Sequence, residues 1–195
     1  PFSDAYAIEA LKLLFAYLPI SYKEGANNPL AREQVHYAAT IAGAAFSNSF
    51  LGVCHSMAHK MGARFNIPHG LANAFLINEV IKYNAVEAPT KMGTFPQYTY
   101  PKAGERYAAL AVILGFAKEG DSKEKKIEAL IKAIADLKAA LDIPEKISAW
   151  GKVAEKDFMD SLDTIAELAF DDQCTGTNPR YPKIEEIKEV YKKCW

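Results

Sequence analysis

The sequence predicts an all-α fold, a bundle of helices, and three observations carry that prediction. Apolar residues recur at helical spacing through most of the 195 residues, no stretch alternates apolar and polar side chains as a half-buried strand would, and helix start and stop residues punctuate the periodic runs. With 50% hydrophobic and 24% charged residues, the chain is of globular composition and long enough for a well-buried core.

Taken in order, Ser3 or Asp4 is placed to cap a first helix, because a side-chain oxygen there can accept from the free amides of the next turn. Ile8, Leu11, Phe15 and Leu18 follow at helical spacing, and Pro19 is expected to end the run. Asn27-Asn28-Pro29 starts a second helix, since proline suits a first helical turn. Leu30 to Phe46 is rich in alanine (Ala38, Ala39, Ala42, Ala44, Ala45), and side chains this small permit close approach, which places the segment in the middle of the bundle. Gly52 to Met61 reads as the next helix, with Gly62 near its end. Pro68-His69-Gly70 opens another, to about Tyr83, with Leu71, Phe75, Ile77, Val80 and Ile81 mostly buried. Prolines break any helix from Pro89 to Pro101, leaving an exposed, ordered loop held by aromatics. Glu105 to Leu114 is helical, with Gly115 as its stop. Asp121 and Glu124 resemble a capping pair ahead of an amphipathic helix with Ile127, Leu130, Ile131, Ile134, Leu137 and Leu141 on one face. A helix from about Glu155 to Phe170, a loop from Asp171 to Arg180, and a last helix opened by Pro182 with Ile184, Ile187 and Val190 inward complete the bundle.

Charge and composition exclude several function classes. Lys plus Arg (23) against Asp plus Glu (24) leaves a net charge of -1, without the basic footprint that nucleic-acid binding needs. The longest apolar run, about nine residues from Ala38 to Phe46, is too short to span a bilayer. Cys54, Cys174 and Cys194 are odd in number and widely spaced, which favours a reduced, cytoplasmic setting over a disulfide framework. The chain begins at Pro1 with no methionine and a helix already under way, so it reads as a piece of a longer polypeptide.

All four histidines, His36, His55, His59 and His69, fall in the first 69 residues. On one helix His55 and His59 lie a turn apart and face the same way. Such a pair either chelates a divalent ion, with His69 at the next helix start completing a facial set, or sits as hydrogen-bonded core histidines. No paired cysteines of zinc-ribbon spacing accompany them. His36, on the alanine-rich helix, reads as structural, and Cys54 as packing.

The run from Asn28 to Asn84 resembles the metal-binding region of iron-dependent (group III) alcohol dehydrogenases. The residues that carry the resemblance are Arg32 to Gly43, the Gly-x-x-His-x-x-x-His-x-x-Gly signature from Gly52 to Gly62, and Pro68-His69-Gly70-Leu71-Ala72-Asn73. The loop Cys174 to Arg180 is similar to a Cys-Thr-Gly-Gly-Asn-Pro-Arg loop of the same family, with Thr177 in place of the commoner glycine. Pro89 to Tyr98 and Asp171-Asp172-Gln173-Cys174 are similar to the alcohol dehydrogenase half of bifunctional aldehyde-alcohol dehydrogenases.

The resemblance implies the α-helical, metal-side domain of a dehydroquinate synthase-like fold over residues 1–195, with the NAD-binding α/β domain outside this chain. It makes His55 and His69 the metal ligands and His59 a proton-relay or positioning residue beside them. The other two ligands, an Asp and a His, would precede Pro1, and Asp4 lies in the wrong context to replace that Asp. Cys174 becomes a candidate for the substrate pocket. The implied cofactors are Fe(II), or Zn(II), and NAD(H). The implied reaction interconverts acetaldehyde and ethanol, a fermentative step on a small-molecule aldehyde or alcohol. This fragment is expected to be inactive alone, within an enzyme that also reduces acetyl-CoA and assembles into oligomers or filaments. Two other readings compete. One is a non-catalytic helical module for metal binding, partner binding or assembly. The other, a metal-dependent hydrolase, lacks convergent acidic partners in the sequence near His55.

Overall fold

Among the residues that this computed structural model describes, 1–86 and 102–195, every regular element is helical. They are α1 (Phe2–Glu24), α2 (Pro29–Ser49), α3 (Val53–Phe65), α4 (His69–Ala85), α5 (Ala103–Ile113), α6 (Lys123–Ala140), α7 (Ile147–Trp150), α8 (Glu155–Phe170) and α9 (Ile184–Cys194), with single 3-10 turns at Gly25–Asn27 and Thr175–Thr177. The all-α expectation holds for these residues. The loop expected from Pro89 to Pro101 lies outside the described residues.

Several starts follow the sequence signals. Asn28 caps α2, its side chain accepting from the Ala31 amide at 3.0 Å, with Pro29 in the first turn. α8 has the expected bounds: Glu155 and Asp157 lie at its positive end, and Phe158, Leu162, Ile165 and Ala169 form its buried face. The cap of α6 falls one residue after Asp121. Ser122 accepts from the Lys125 amide at 3.2 Å, while Asp121 holds the Lys118 amide and the Lys125 ammonium.

Two expectations are corrected. α1 does not stop at Pro19 but runs on to Glu24, with Ser3 and Asp4 inside the helix and Asp4 paired to Arg106. An internal proline costs a helix about 3 kcal/mol, and here packing on both sides of it supplies the compensation. Phe15 meets Phe116 edge-on at 4.8 Å before the proline, and the Tyr22 hydroxyl donates to Asp142 at 3.0 Å after it. α2 is not central either. It folds back on α1, buries only Ala31, Ala38 and Ala45, and leaves Leu30, Tyr37 and Phe46 exposed. The small side chains do permit close approach, but among the described residues it is chiefly to α1.

The main core lies among α3, α4, α7, α8 and α9. Its hub is Phe158, stacked on Trp195 at 4.8 Å and edge-on to Tyr191 at 6.4 Å. The buried Tyr191 hydroxyl donates to the Met57 carbonyl at 2.7 Å and ties α9 to the middle of α3. A smaller cluster of Ile81, Ala108 and Ile127 joins α4, α5 and α6. Lys138, on the otherwise apolar side of α6, is also buried; its ammonium donates to the Ala74 carbonyl at 3.1 Å, and burial pulls its pKa down. An apolar cavity of about 540 Å³, lined by residues such as Leu11, Phe15, Ile81 and Leu110, borders α1, α4, α5 and α6 and includes none of the histidines. No single helix among the described residues is long and apolar enough to cross a membrane.

Candidate metal centre

α3, which carries His55 and His59, has no capping side chain of its own, because its first flanking residue is Gly52. The cap comes from the far end of the chain. Asn178 Oδ1 accepts from the Val53 amide at 3.2 Å, and the Asn178 and Asn84 carboxamides pair reciprocally at 2.8 and 3.3 Å. A Cβ at position 52 would stand 2.8 Å from Asn178 Oδ1, so this approach requires glycine. The same loop holds α3 again at Ser56, where the Thr175 hydroxyl meets the Ser56 hydroxyl at 2.7 Å and the Ala169 carbonyl at 2.6 Å. The Thr177 hydroxyl reaches the carbonyls of Leu51 and Cys174, giving this side chain its own attachment. Arg180 locks the loop to the rest of the core. It donates to the Tyr83 carbonyl at 2.9 Å and to Glu186 at 2.6 Å, and its guanidinium lies 4.0 Å over the Tyr83 ring.

At its other end α3 runs past Gly62 to Phe65 and stops on Asn66 in the left-handed conformation (φ 54°), with the Ile67 amide returning to the Gly62 carbonyl at 3.1 Å. Pro68 then opens α4, its carbonyl taking the Ala72 amide at 2.9 Å. This tight turn brings His69 back against the two histidines of α3. Ring centroids are 5.4 Å apart for His55 and His69, 5.4 Å for His59 and His69, and 6.1 Å for His55 and His59. The Asn73 carboxamide lies 3.3 Å from His69 Nε2. His55 and His59 are half-buried, and His69 is exposed. Burial, with the neighbouring His69 and His59, lowers the His55 pKa and favours its neutral form. His36 stands exposed on α2, its ring neighbour being Tyr37 at 6.5 Å.

A second set of donors lies beside His59. Asp172 Oδ2 is 3.2 Å from His59 Nδ1 and 2.8 Å from the Lys60 ammonium, while Asp172 Oδ1 accepts from the Cys174 amide at 3.0 Å. Partial burial pushes the Asp172 carboxyl up, but these donors, Lys60 foremost, outweigh it and hold it well below the usual carboxylate range. His59, Asp172 and Cys174 present possible ligand atoms within 4.8 Å of one another. One observation weighs against a metal there: the Lys60 ammonium already occupies the carboxylate. In the triangle of imidazoles, His59 Nδ1 faces Asp172 and His69 Nε2 lies 3.3 Å from the Asn73 carboxamide, and imidazole donors suit iron and zinc.

The three histidines singled out in the sequence therefore converge, and Cys174 sits next to them, buried behind Asp172. Sequence reasoning missed Asp172 and Lys60. The one signal for Lys60 was its place next to His59. Asp172 stood in the family-like stretch Asp171-Asp172-Gln173-Cys174, but nothing in the sequence tied it to His59, 113 residues away.

A family model described as the Fe-containing alcohol dehydrogenase family, C-terminal, matches residues 1–195. The chain belongs to the iron-containing alcohol dehydrogenase family. It is 58% identical over 189 residues to the bifunctional aldehyde-alcohol dehydrogenase AdhE of Escherichia coli strain K12, covering 97% of this chain and 21% of that protein. It is 50% identical over 194 residues to the aldehyde-alcohol dehydrogenase of Clostridium acetobutylicum, covering 100% of this chain and 22% of that protein. In three dimensions it resembles the iron-containing alcohol dehydrogenase of Thermococcus thioreducens, with a TM-score of 0.79 and 38% identity, over 100% of this chain and 44% of that one. The chain thus spans about a fifth of the length of these two curated relatives. The chain is the C-terminal helical part of such a protein, and its imidazole cluster offers nitrogen donors of a kind that iron takes.

Proposed function

We propose that this chain is the metal-side domain of an NAD(H)-linked, metal-dependent alcohol dehydrogenase that interconverts acetaldehyde and ethanol, within a polypeptide that also reduces acetyl-CoA to acetaldehyde. The observation that carries the reading is the convergence of His55, His59 and His69, with centroids 5.4 to 6.1 Å apart, in a chain of this family. His55 and His69 hold a divalent ion, Fe(II) or Zn(II), together with ligands from outside this chain. When bound, that ion supplies Lewis acidity toward the oxygen of the substrate. His59 stands beside the pair and moves the substrate's hydroxyl proton, a task suited to an imidazole at neutral pH. Cys174, buried behind Asp172, backs the substrate pocket. The nucleotide is bound mainly by an α/β domain outside residues 1–195. The reading extends to a cytoplasmic setting, supported by the three widely spaced cysteines, and to assembly into oligomers or filaments, supported by the resemblance alone.

The experiment is a pair of substitutions in the whole polypeptide, read by elemental analysis and turnover. His69→Ala is expected to abolish metal retention, while His59→Ala keeps the metal and slows turnover. Equal metal loss in both variants would overturn the assignment in favour of His55 and His59 as the chelating pair. Metal retention without any alcohol oxidation in the wild type would favour a non-catalytic metal-binding module.

A further inference from the structure

His59 has two ring nitrogens, and one of them is committed. Nδ1 lies 3.2 Å from Asp172 Oδ2, and the Asp172 side chain is only 8% exposed. The carboxylate is gripped from three sides, by the Lys60 ammonium at 2.8 Å, the Cys174 amide at 3.0 Å and the His59 ring. An ionised carboxylate has no proton to give, so the imidazole must be the donor in this contact. A neutral ring that donates from Nδ1 has its lone pair at Nε2.

We propose that Asp172 is a positioning residue, whose carboxylate accepts the Nδ1–H of His59 and so makes Nε2 the atom that exchanges a proton with the substrate oxygen. The proposal rests on the dehydrogenase reading above. In the oxidising direction the alcohol loses its hydride to the nicotinamide and its hydroxyl proton to Nε2; the O–H bond breaks, an N–H bond forms, and the aldehyde leaves. The ring becomes an imidazolium facing the Asp172 carboxylate, which stays ionised and takes up no proton. In the reducing direction Nε2 returns the proton to the oxygen as hydride reaches carbon. Lys60, next to His59 on α3, shares Oδ2 and keeps the carboxylate aimed at the ring. Carboxylates that orient metal-ligating histidines contribute about 10- to 100-fold, and an effect of that order is expected here.

The test has two arms in the whole polypeptide. The first is the 15N spectrum of ring nitrogens in metal-free, histidine-labelled protein, with the His59 signals identified by their loss in His59→Gln. The wild type is expected to carry the proton on Nδ1, and Asp172→Ala to move it toward Nε2. A wild-type ring protonated on Nε2 would overturn the proposal even if the Asp172 variant failed to fold. The second arm is kinetic. Asp172→Ala is expected to lower kcat about 10- to 100-fold, with KM and bound metal unchanged, and to cost nothing further in a His59→Ala background. An equal additional loss in that background, or a loss that tracks metal content, would refute action through His59. If the wild type itself oxidises no alcohol, it is the dehydrogenase reading that fails. If it does oxidise alcohols and the two substitutions are additive, only the Asp172 role fails.

Discussion

Asn178 offers the sharpest test of how the centre is held, because one carboxamide both caps the metal-site helix and fills a buried polar pair. Replacing it by alanine removes the acceptor for the Val53 amide, a loss of about 1 kcal/mol for a helix cap. It also strands Oδ1 of Asn84, which is 5% exposed and keeps only its Nδ2 contact to the Tyr107 hydroxyl at 3.4 Å, at a cost of about 1–3 kcal/mol for an unpaired buried polar atom. Together the first turn of α3 should be destabilised by about 2–4 kcal/mol, less whatever water entering the vacated space restores. At 1.4 kcal/mol per decade, that corresponds to about 30- to several-hundred-fold faster opening. Hydrogen exchange read by mass spectrometry on peptides from Val53 to Met57 in the whole polypeptide measures this directly. α8, whose start is independent of the loop, serves as the internal control. Exchange in the α3 peptides within about threefold of wild type would refute the claim that this long-range cap holds the helix.

Gly52→Ala places a methyl group 2.8 Å from Asn178 Oδ1 and should displace the cap, reproducing the Asn178→Ala exchange pattern; wild-type protection would show that the loop gives way without cost. The folded Asp172 carboxyl lies below its unfolded value, so its interactions stabilise the protein above the ordinary carboxylate pKa of about 3.9 and are lost as pH falls through the lower folded value. Lys60→Met should therefore raise the pH of the acid transition followed by tryptophan fluorescence, and an unchanged midpoint would count against the pair. Burial pushes the Cys54 and Cys194 thiols up to about 12, so iodoacetamide at mild alkaline pH should leave both unmodified in the native enzyme and alkylate them in denaturant. Rapid native alkylation of either would contradict their burial.

What the sequence made legible was local. The start of α2 was readable because Asn28 and Pro29 act within one turn, and α8 because its acidic start and apolar face lie in one segment. The histidine triangle was accessible for the same reason: four residues separate His55 from His59, and a short turn carries the chain to His69. The failures lie where distant packing decides. Pro19 reads as a stop until Phe116 and Asp142 hold the helix on either side of it. The alanines of α2 signal close approach without saying that, among the described residues, α1 is the main neighbour. The Cys174 to Arg180 loop was recognisable as a family feature, but its work on Val53, Ser56 and Tyr83 was not, since each contact spans most of the chain.

The same separation sets an order of events during synthesis. The Val53 amide waits for Asn178, 125 residues later, and the Met57 carbonyl for Tyr191, 134 residues later. At translation rates of 5–20 residues per second, about 6–25 s pass between the emergence of the histidine helix and that of its cap. In that interval α3 is a 13-residue helix with a frayed first turn, too short to be firm by itself. A divalent ion that meets the nascent chain finds His55 and His59 on a segment whose ends are not fixed. If His55 and His69 hold the metal as proposed, its capture follows docking of the C-terminal loop and α9, and a chain stalled before residue 178 presents its imidazoles on a helix whose start is not yet fixed.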